Sequence, residues 1–387
     1  MNAIDVLFLT LALLALFTSL SVVVLSLIWI ERKFLGRLQR RLGPTRTGPF
    51  GLMQPIADAV KLVLKEDMIP SWADKAVFWV APLLVLIPSF MLWVTIPATK
   101  GLVLRNLELG LFVIIALLVI SILGLVLAGW GSANKYGALG GLRAAAQLIS
   151  YEVPLIMVVV SIAILAQSLD LRVISASQVP LESAQSVFTD VTAEGGSFNH
   201  VGVPFILIFP LGLVIFLIAG LAEVGRIPFD IYFAESEIVG GPFVEYSGAH
   251  WAIFFLAEYM NTFAVAALAA LFFLGGWYGP FLPEWLWFLI KTYCMVLVIF
   301  WIRGTFPRLR IDQLMAFGWK VMIPLSFVGV VITSIYRFYG WPAWSLSLMS
   351  LITLGVVGYW LYRRFTQPAI QLAKAYGRQP GRAANAR

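Results

Sequence analysis

The stretch Leu221–Gly248 reads LAEVGRIPFDIYFAESEIVGGPFVEYSG and is the most informative part of this sequence, because it places acidic residues between two apolar runs. It contains a quarter of the 20 Asp and Glu residues of a 387-residue chain, and Arg226 is its only basic residue. Its acidic residues are Glu223, Asp230, Glu235, Glu237 and Glu245. Apolar runs at 203–222 and 251–274 flank it, and each is long enough to cross a bilayer as a helix. Because carboxylates are costly near hydrocarbon, five of them between two spans indicate a functional loop at 223–248.

The composition of the chain excludes an ordinary soluble globule. Hydrophobic residues make up 60% of it, charged residues 12%, and the mean hydropathy is +0.91, so much of its surface must face lipid. The first apolar run has no basic segment before it and ends in Glu31-Arg32-Lys33, so we predict a retained helix rather than a cleaved signal peptide. The sequence predicts an all-α, polytopic membrane protein with about nine transmembrane helices. We place the spans at 6–30, 77–97, 109–130, 153–168, 203–222, 251–274, 285–302, 321–336 and 344–362.

The distribution of basic residues predicts the orientation of these spans. If the first helix runs from outside to inside, all but five of the 27 Lys and Arg residues lie in inner segments. The five outer ones are Lys100, Arg105, Arg172, Lys291 and Arg337. The N-terminus is therefore predicted outside and the C-terminus in the cytoplasm. We divide the chain into one transmembrane domain, 1–363, and a basic cytoplasmic tail, 364–387, which we interpret as an anchor for lipid headgroups rather than a nucleic-acid site.

Redox and metal chemistry have few candidate ligands in this sequence. Cys294 is the only cysteine, which excludes a disulfide framework and a cysteine-ligated iron–sulfur cluster. His200 and His250 are the only histidines, and we interpret both as surface or interfacial residues rather than haem ligands. The sequence predicts no metal site, so another polypeptide would hold the metal of any electron-transfer reaction.

Segment 52–66 has the pattern of an amphipathic helix. Gln54, Asp58, Lys61 and Lys65 are spaced by four, three and four, which puts them on one stripe of a helix. The segment is too short for a span, so we predict that it lies in the inner membrane interface. Two interpretations follow. The helix either packs beneath the bundle, which composition alone favours, or frames an opening through which a lipophilic molecule enters from the membrane.

Acidic residues in or beside the spans are candidates for proton transfer. Glu152 lies where an inner loop is expected to pass into the fourth helix, Glu223 closes the fifth helix, and Glu258 lies within the sixth. A single glutamate here would be expected only to stabilise helix packing, but this many in a chain so poor in acids favour proton handling. Glu235 and Glu237 are two residues apart, so they would meet the same cavity only in a loop.

Two arginines near these acids have simpler interpretations. Arg226 could pair with Asp230 if the segment between them were helical, but Pro228 intervenes. Arg303 is interpreted as part of the positive-inside signal.

The sequence resembles one known family over most of its length. The stretch GRIPFD…AESE…EYSG…FFLAEYMN is similar to the quinone-channel component of respiratory complex I, which is the H subunit of NADH-quinone oxidoreductase and mitochondrial subunit 1. Further similar blocks follow in family order from residue 30 to 320. They are IERK and QRRLGPTRTG (30–48), LMQPIADAVKLVLKEDMIP (52–70), GWGSANKYGALGGLRAAAQLISYEVPL (129–155) and RGTFPRLRIDQLMAFGWK (303–320).

The resemblance implies a fold and a function that spacing alone could not give. The family core of eight helices holds a tunnel from the bilayer to a quinone site at the junction with the peripheral arm, and the helix at 52–66 would flank its entrance. Quinone would be the substrate, and this chain would bind no cofactor of its own. The partners implied are the other membrane subunits and the peripheral-arm quinone-site subunits, which would carry the iron–sulfur clusters and flavin.

The resemblance also assigns roles to individual residues. An acidic funnel in the family links the quinone site to the proton-pumping subunits, and Arg226 matches the arginine of the same loop. The funnel would comprise Glu152, Glu223, Asp230, Glu235, Glu237 and Glu258. The blocks on the tunnel side would contribute Arg32, Arg41, Arg46 and Asp58.

The sequence departs from the family pattern within the acidic stretch, at 224–225, 232–233 and 240–244, and at the C-terminal end. Tyr232 and Phe233 stand where relatives usually have Pro and Glu, which removes one funnel carboxylate. The ninth span and the tail extend past the eight-helix core, as in bacterial versions, so a bacterial plasma membrane is expected. Two alternatives stay open, which are the membrane anchor of a related energy-converting hydrogenase and a stand-alone cation/proton antiporter.

Overall fold

A computed structural model of the chain describes residues 3–180, 200–233 and 235–377, with the backbone alone at Ala3, Ile4, Glu235, Ser236 and 365–377. These residues form helices and connecting turns, and no β-strand occurs among them. In chain order the helices are α1 (Ala3–Leu38), α2 (Gln54–Leu64), α3 (Lys75–Thr95), α4 (Gly110–Gly131), α5 (Lys135–Ala166), α6 (Leu171–Ala176), α7 (Phe205–Ile208), α8 (Pro210–Val224), α9 (Glu235–Ile238), α10 (Gly248–Phe273), α11 (Glu284–Thr305), α12 (Ile311–Phe317), α13 (Ile323–Tyr339) and α14 (Ala343–Gly377).

Eight helical segments in the described residues are long and apolar enough to cross a membrane. They are α1, α3, α4, α5, α10, α11, the run from α12 to α13, and α14 as far as Arg364. A single π-helical turn, Gly318–Met322, joins α12 to α13 without a break. Helix α8 is also apolar but has only 15 residues and is not one of the eight. The prediction of an all-α polytopic protein is confirmed.

The fourth span is much longer than the sequence predicted. Helix α5 begins after Asn134, whose side chain accepts a hydrogen bond from the backbone N–H of Tyr136 at 3.0 Å, and it continues through Pro154 to Ala166. Membrane helices tolerate an internal proline because neighbouring helices help to satisfy the freed backbone groups. The prediction that Glu152 sits where an inner loop enters a helix is therefore wrong, since it lies well inside α5.

The fifth span is broken near its start. Helix α7 ends at Ile208, Phe209 has a non-helical backbone, and Pro210 begins α8. Proline fits the first turn of a helix because the N–H that it lacks would have no partner there. Helix α8 has 15 residues and spans about 22 Å, which is less than the hydrocarbon thickness of about 30 Å.

Helix α10 is the most buried of the spanning helices and forms the centre of the bundle. It packs against α1, α2, α3, α8 and α11. Its run AVAALAA, 264–270, is buried throughout, and small side chains there let neighbouring helices approach closely. Helix α14 is the least buried and lies at the edge, against α13 and α8.

Helix α2 confirms the predicted amphipathic helix within 52–66. It packs on α1 and α10, while Ile56, Val60 and Leu64 are exposed on its outer side. Exposed apolar side chains on a helix that is too short to span the membrane are typical of an interfacial helix. We call the end of the bundle where α1 ends, α2 lies and α3 begins the basic end, because Lys and Arg residues concentrate there.

Candidate functional site

A cavity of about 490 Å³ opens at the basic end between α1, α2 and α10. Most of its wall is apolar and includes Ile28, Leu62 and Phe255. The charged residues of the wall are Arg32, Asp58 and Lys61. Arg32 Nη1 lies 2.6 Å from Asp58 Oδ2, so α1 and α2 are joined by an ion pair across the cavity wall. An apolar chamber with a few convergent polar groups is the usual form of a site for a small apolar ligand.

A buried charge network begins directly beside this cavity, at Glu31. Its neighbour Arg32 lines the cavity, whereas Glu31 itself is only 5% exposed. The Glu31 carboxylate accepts a hydrogen bond from Tyr259 Oη at 2.8 Å and another from Arg303. Its Oε2 also lies 3.6 Å from Arg226 Nη1. One carboxylate therefore connects α1, α10, α11 and the acidic stretch.

Arg226 is the cation at the centre of this network. It is 4% exposed, its Nε lies 3.1 Å from Glu258 Oε1, and its guanidinium carbon lies 4.3 Å from the centre of the Tyr259 ring. Burial alone would lower the pKa of Arg226, but Glu258, Tyr259 and Glu31 more than offset this and raise it. The guanidinium therefore stays charged and holds the two carboxylates together.

The backbone after α8 is shaped to bring Arg226 into the bundle. Gly225 has a φ of 69°, and a Cβ atom there would lie 2.0 Å from the Tyr232 hydroxyl, so only glycine fits. The buried side chain of Gln147 on α5 donates hydrogen bonds to the carbonyls of Ala222 at 2.8 Å and Phe229 at 2.7 Å. These bonds fix both sides of the Arg226 turn.

Asp230 lies at the next step of the acidic stretch. It pairs with Arg308, Oδ2 to Nη2, at 3.4 Å, and the Leu309 N–H donates to the Pro228 carbonyl at 3.1 Å. Burial raises the pKa of Asp230, although the Arg308 charge opposes this effect. The acidic stretch and the loop after α11 are thus locked together.

A second, small cavity of about 30 Å³ lies deeper, between α4, α5, α8 and α10. Glu223, Glu258 and Asn261 line it, together with Tyr232. Glu223 Oε2 and Asn261 Oδ1 are buried and have no hydrogen-bond partner among the described residues. A polar cavity of this size can hold a water molecule. The Tyr232 side chain is held by a hydrogen bond from its hydroxyl to the Val224 carbonyl at 3.4 Å.

The structure brings together only some of the predicted funnel residues. Arg226 is buried, Glu258 pairs with it, and Glu258 and Glu223 line the small cavity as half-buried residues. Asp230 lies beside them in the acidic stretch. Glu152 is buried on α5, and its Oε1 has no hydrogen-bond partner in the described part of the chain. Arg226 and Asp230 do not pair with each other, because the backbone between them is not helical.

Other predicted residues lie apart from this cluster. Glu237 forms an ion pair with Arg143 on a partly exposed surface, with 2.8 Å between Glu237 Oε2 and Arg143 Nη1. The side chain of Glu235 falls outside the described residues. Arg41 and Arg46 are exposed in the loop after α1 and do not line the large cavity. Phe233 contacts Phe243, with ring centres 5.6 Å apart, and is not part of the small cavity's wall.

Sequence reasoning missed several residues of the network. Glu31, Tyr259 and Arg308 were not singled out as site residues, and the interpretation of Arg303 as a topology signal is incomplete because it binds Glu31. A signal for Glu31 did exist, since a carboxylate at the end of an apolar run needs a partner. Of the two alternatives for His250, surface or interfacial, the structure excludes the surface one, because the side chain is buried and its Nδ1 bonds to Asp67.

The chain is similar to known proteins over most of its length. The family model for NADH dehydrogenase matches residues 11–334. The chain belongs to this family.

A protein of Dehalococcoides mccartyi, named as the H subunit of NADH-quinone oxidoreductase, is 45% identical over 322 residues, which cover 83% of this chain and 85% of the relative. A relative of the same type from Syntrophobacter fumaroxidans is 42% identical over 82% and 91% of the two chains, and one from Brevibacillus brevis is 44% identical over 81% and 88%. Membership of this family supports a complex I subunit over a hydrogenase anchor or a stand-alone antiporter.

Proposed function

We propose that this chain is the membrane subunit of an NADH-quinone oxidoreductase that admits quinone from the bilayer and couples its reduction to proton translocation. The observation that carries the proposal is the adjacency of two features. The apolar cavity between α1, α2 and α10 ends at Arg32, and the next residue, Glu31, begins the buried network that leads to Arg226 and Glu258.

The large cavity suits a quinone for a simple chemical reason. A quinone has a polar headgroup and a long apolar tail, and the cavity joins an apolar wall to a polar end at Arg32 and Asp58. Helix α2 lies at the membrane interface, so a molecule dissolved in the bilayer can reach the cavity sideways. Arg41 and Arg46 would act further along the path, where the exposed loop after α1 meets a partner.

In the proposed reaction, partner subunits would supply the electrons and this chain would bind the quinone. Reduction of one quinone to quinol takes two electrons and two protons. The electrons would come from iron–sulfur and flavin centres on partner subunits. This chain would bind and orient the quinone and respond to the change in charge through Glu31, Arg226 and Glu258.

The proton path would continue from this network into the small cavity. Glu258 lines that cavity and is also paired with Arg226, so it belongs to both parts. Glu223 and Glu152 would extend the path, and Asp230, Glu235 and Glu237 would border it on the acidic stretch. Carboxylates that are close together titrate as a group, so a charge change at one of them moves protons among the others.

We further propose that the basic end faces the cytoplasm of a bacterium. The concentration of Lys and Arg at this end supports it, and it leaves the N-terminus outside and the basic tail inside. The peripheral-arm subunits would bind at the basic end, and the other membrane subunits would pack along the side of the bundle. Leu42 and Phe50, which are 90% and 80% exposed in the loop after α1, provide apolar contacts for such a partner.

Substitutions on two neighbouring residues of α2 test the quinone path. Ala59 lines the cavity, whereas Val60 faces outward. Ala59→Trp should fill the chamber and raise the apparent KM of the purified complex for a long-tailed quinone, with a smaller effect on kcat. Val60→Trp, which adds an equally large ring on the lipid side, should leave both unchanged. Equal KM values for the two variants would contradict quinone passage between α1, α2 and α10.

A further inference from the structure

A groove that the quinone function does not use runs along the edge of the bundle between α13 and α14. It consists of two adjoining cavities of about 400 and 200 Å³. Both cavities are lined by Lys320, Val321 and Trp360, so the groove is continuous. It lies beside the least buried spanning helix, and it shares no lining residue with the cavity at α2 or the small acidic cavity.

The two parts of the groove differ in chemistry. The larger part is almost wholly apolar, with Pro324, Val328, Ile352 and Val356 along its length. The smaller part has the polar groups, which are Gln313, Lys320 and Arg364. A molecule that fills the groove must therefore have a long apolar portion and an end that complements two positive charges.

The two cations lie at the level of lipid headgroups. Lys320 is in the π-helical turn that precedes α13, and Arg364 follows the apolar run of α14 in the sequence, so both lie at the basic end of their helices. The Arg364 guanidinium lies 5.1 Å from the ring centre of Trp360, an aromatic residue of the kind that is enriched at membrane interfaces. Neither cation forms an ion pair with another residue that the structure describes.

We propose that this groove binds one anionic diacyl phospholipid. Its phosphate lies between Lys320 and Arg364, and an acyl chain fills the apolar part against α13 and α14. Charge complementarity selects this occupant, since basic pockets between membrane helices bind anionic headgroups. A free phosphate would leave the apolar part unfilled. A quinone headgroup is neutral, so it would not neutralise the two cations. The lipid would join α14 to the bundle.

Photoactivatable lipids test the proposal in the purified complex reconstituted in vesicles. The probes are phosphatidylglycerol and phosphatidylcholine with identical acyl chains that carry a diazirine. Phosphatidylglycerol should label residues 321–328 and 352–357, and two interfacial cations correspond to a preference of about thirtyfold over phosphatidylcholine. Lys320→Gln combined with Arg364→Gln should reduce this labelling to the level of phosphatidylcholine.

Two further variants distinguish specific lipid binding in the groove from nonspecific attraction of anionic lipid to the basic end. Arg363→Gln removes the neighbouring arginine, which lies over Tyr359 at 5.1 Å and does not line the groove, so it should leave labelling unchanged. Val328→Trp fills the apolar part, keeps both cations and should lower labelling. Three outcomes would overturn the proposal. The two lipids could label these segments equally, Arg363→Gln could reduce labelling as much as the Lys320→Gln and Arg364→Gln pair does, or the segments could remain unlabelled because protein covers them.

Discussion

The buried carboxylate of Glu31 is explained by partners from distant parts of the chain. Glu31 binds Arg303 and Tyr259 and lies beside Arg226, so its partners come from α10, α11 and the acidic stretch. The sequence indicated that such carboxylates need partners but could not identify them. A pairing between residues 31 and 303 depends on how whole helices pack, and local spacing contains no information about it.

Removal of the Glu31 carboxylate should destabilise the subunit strongly. Glu31→Ala leaves Arg226 and Arg303 without their shared anion, and breaking a buried ion pair in this way costs about 3–5 kcal/mol. We expect a clearly lower apparent unfolding temperature of the purified complex. Glu66→Ala at an exposed position of the same end is the control, with an expected effect within about 0.5 kcal/mol. Indistinguishable unfolding temperatures would mean that the network contributes little to stability.

At the scale of elements, the sequence predicted which segments are helices better than where they begin or break. Hydropathy located α3, α4 and α11 closely because each is one apolar run with polar ends. Hydropathy did not locate the start of α5, because the segment GGLRAAAQLISYE (140–152) is only moderately apolar. Packing against α4 and α8 supports the helix there. It also treated α7 and α8 as one span, although Pro210 stood inside the predicted segment.

The packing of α5 on the acidic stretch predicts a precise steric requirement. A Cβ atom on Gly140 would lie 2.4 Å from the Gly241 Cα, so Gly140→Ala must push the acidic stretch away from α5. We expect poor assembly or reduced quinone reductase activity in membranes. Gly355→Ala is the matched control, because that helical glycine has open space around it and alanine favours a helix by about 1 kcal/mol. If both variants assemble and react alike, the close contact between α5 and the stretch does not exist.

At the scale of the whole molecule, a bundle of apolar membrane helices and an amphipathic helix could be predicted because lipid imposes strong rules. Every backbone group in the hydrocarbon must be satisfied within a helix, so long apolar runs have one available structure. The arrangement of those helices around α10 could not be predicted, and with it the location of the two cavities. The acidic stretch is therefore clear in the sequence, but the connection from Arg32 through Glu31 and Arg226 to Glu258 is visible only in the fold.

The most direct test of the proposed coupling is the number of protons translocated per quinone reduced by the complex in proteoliposomes. Glu223→Gln keeps the size of a side chain in the small cavity but removes its ionisable group. We expect a reduced ratio while quinone reduction continues, and an unchanged ratio in Glu108→Gln, an exposed position at the opposite end. A wild-type ratio and a wild-type reduction rate in Glu223→Gln would contradict a proton path through this site.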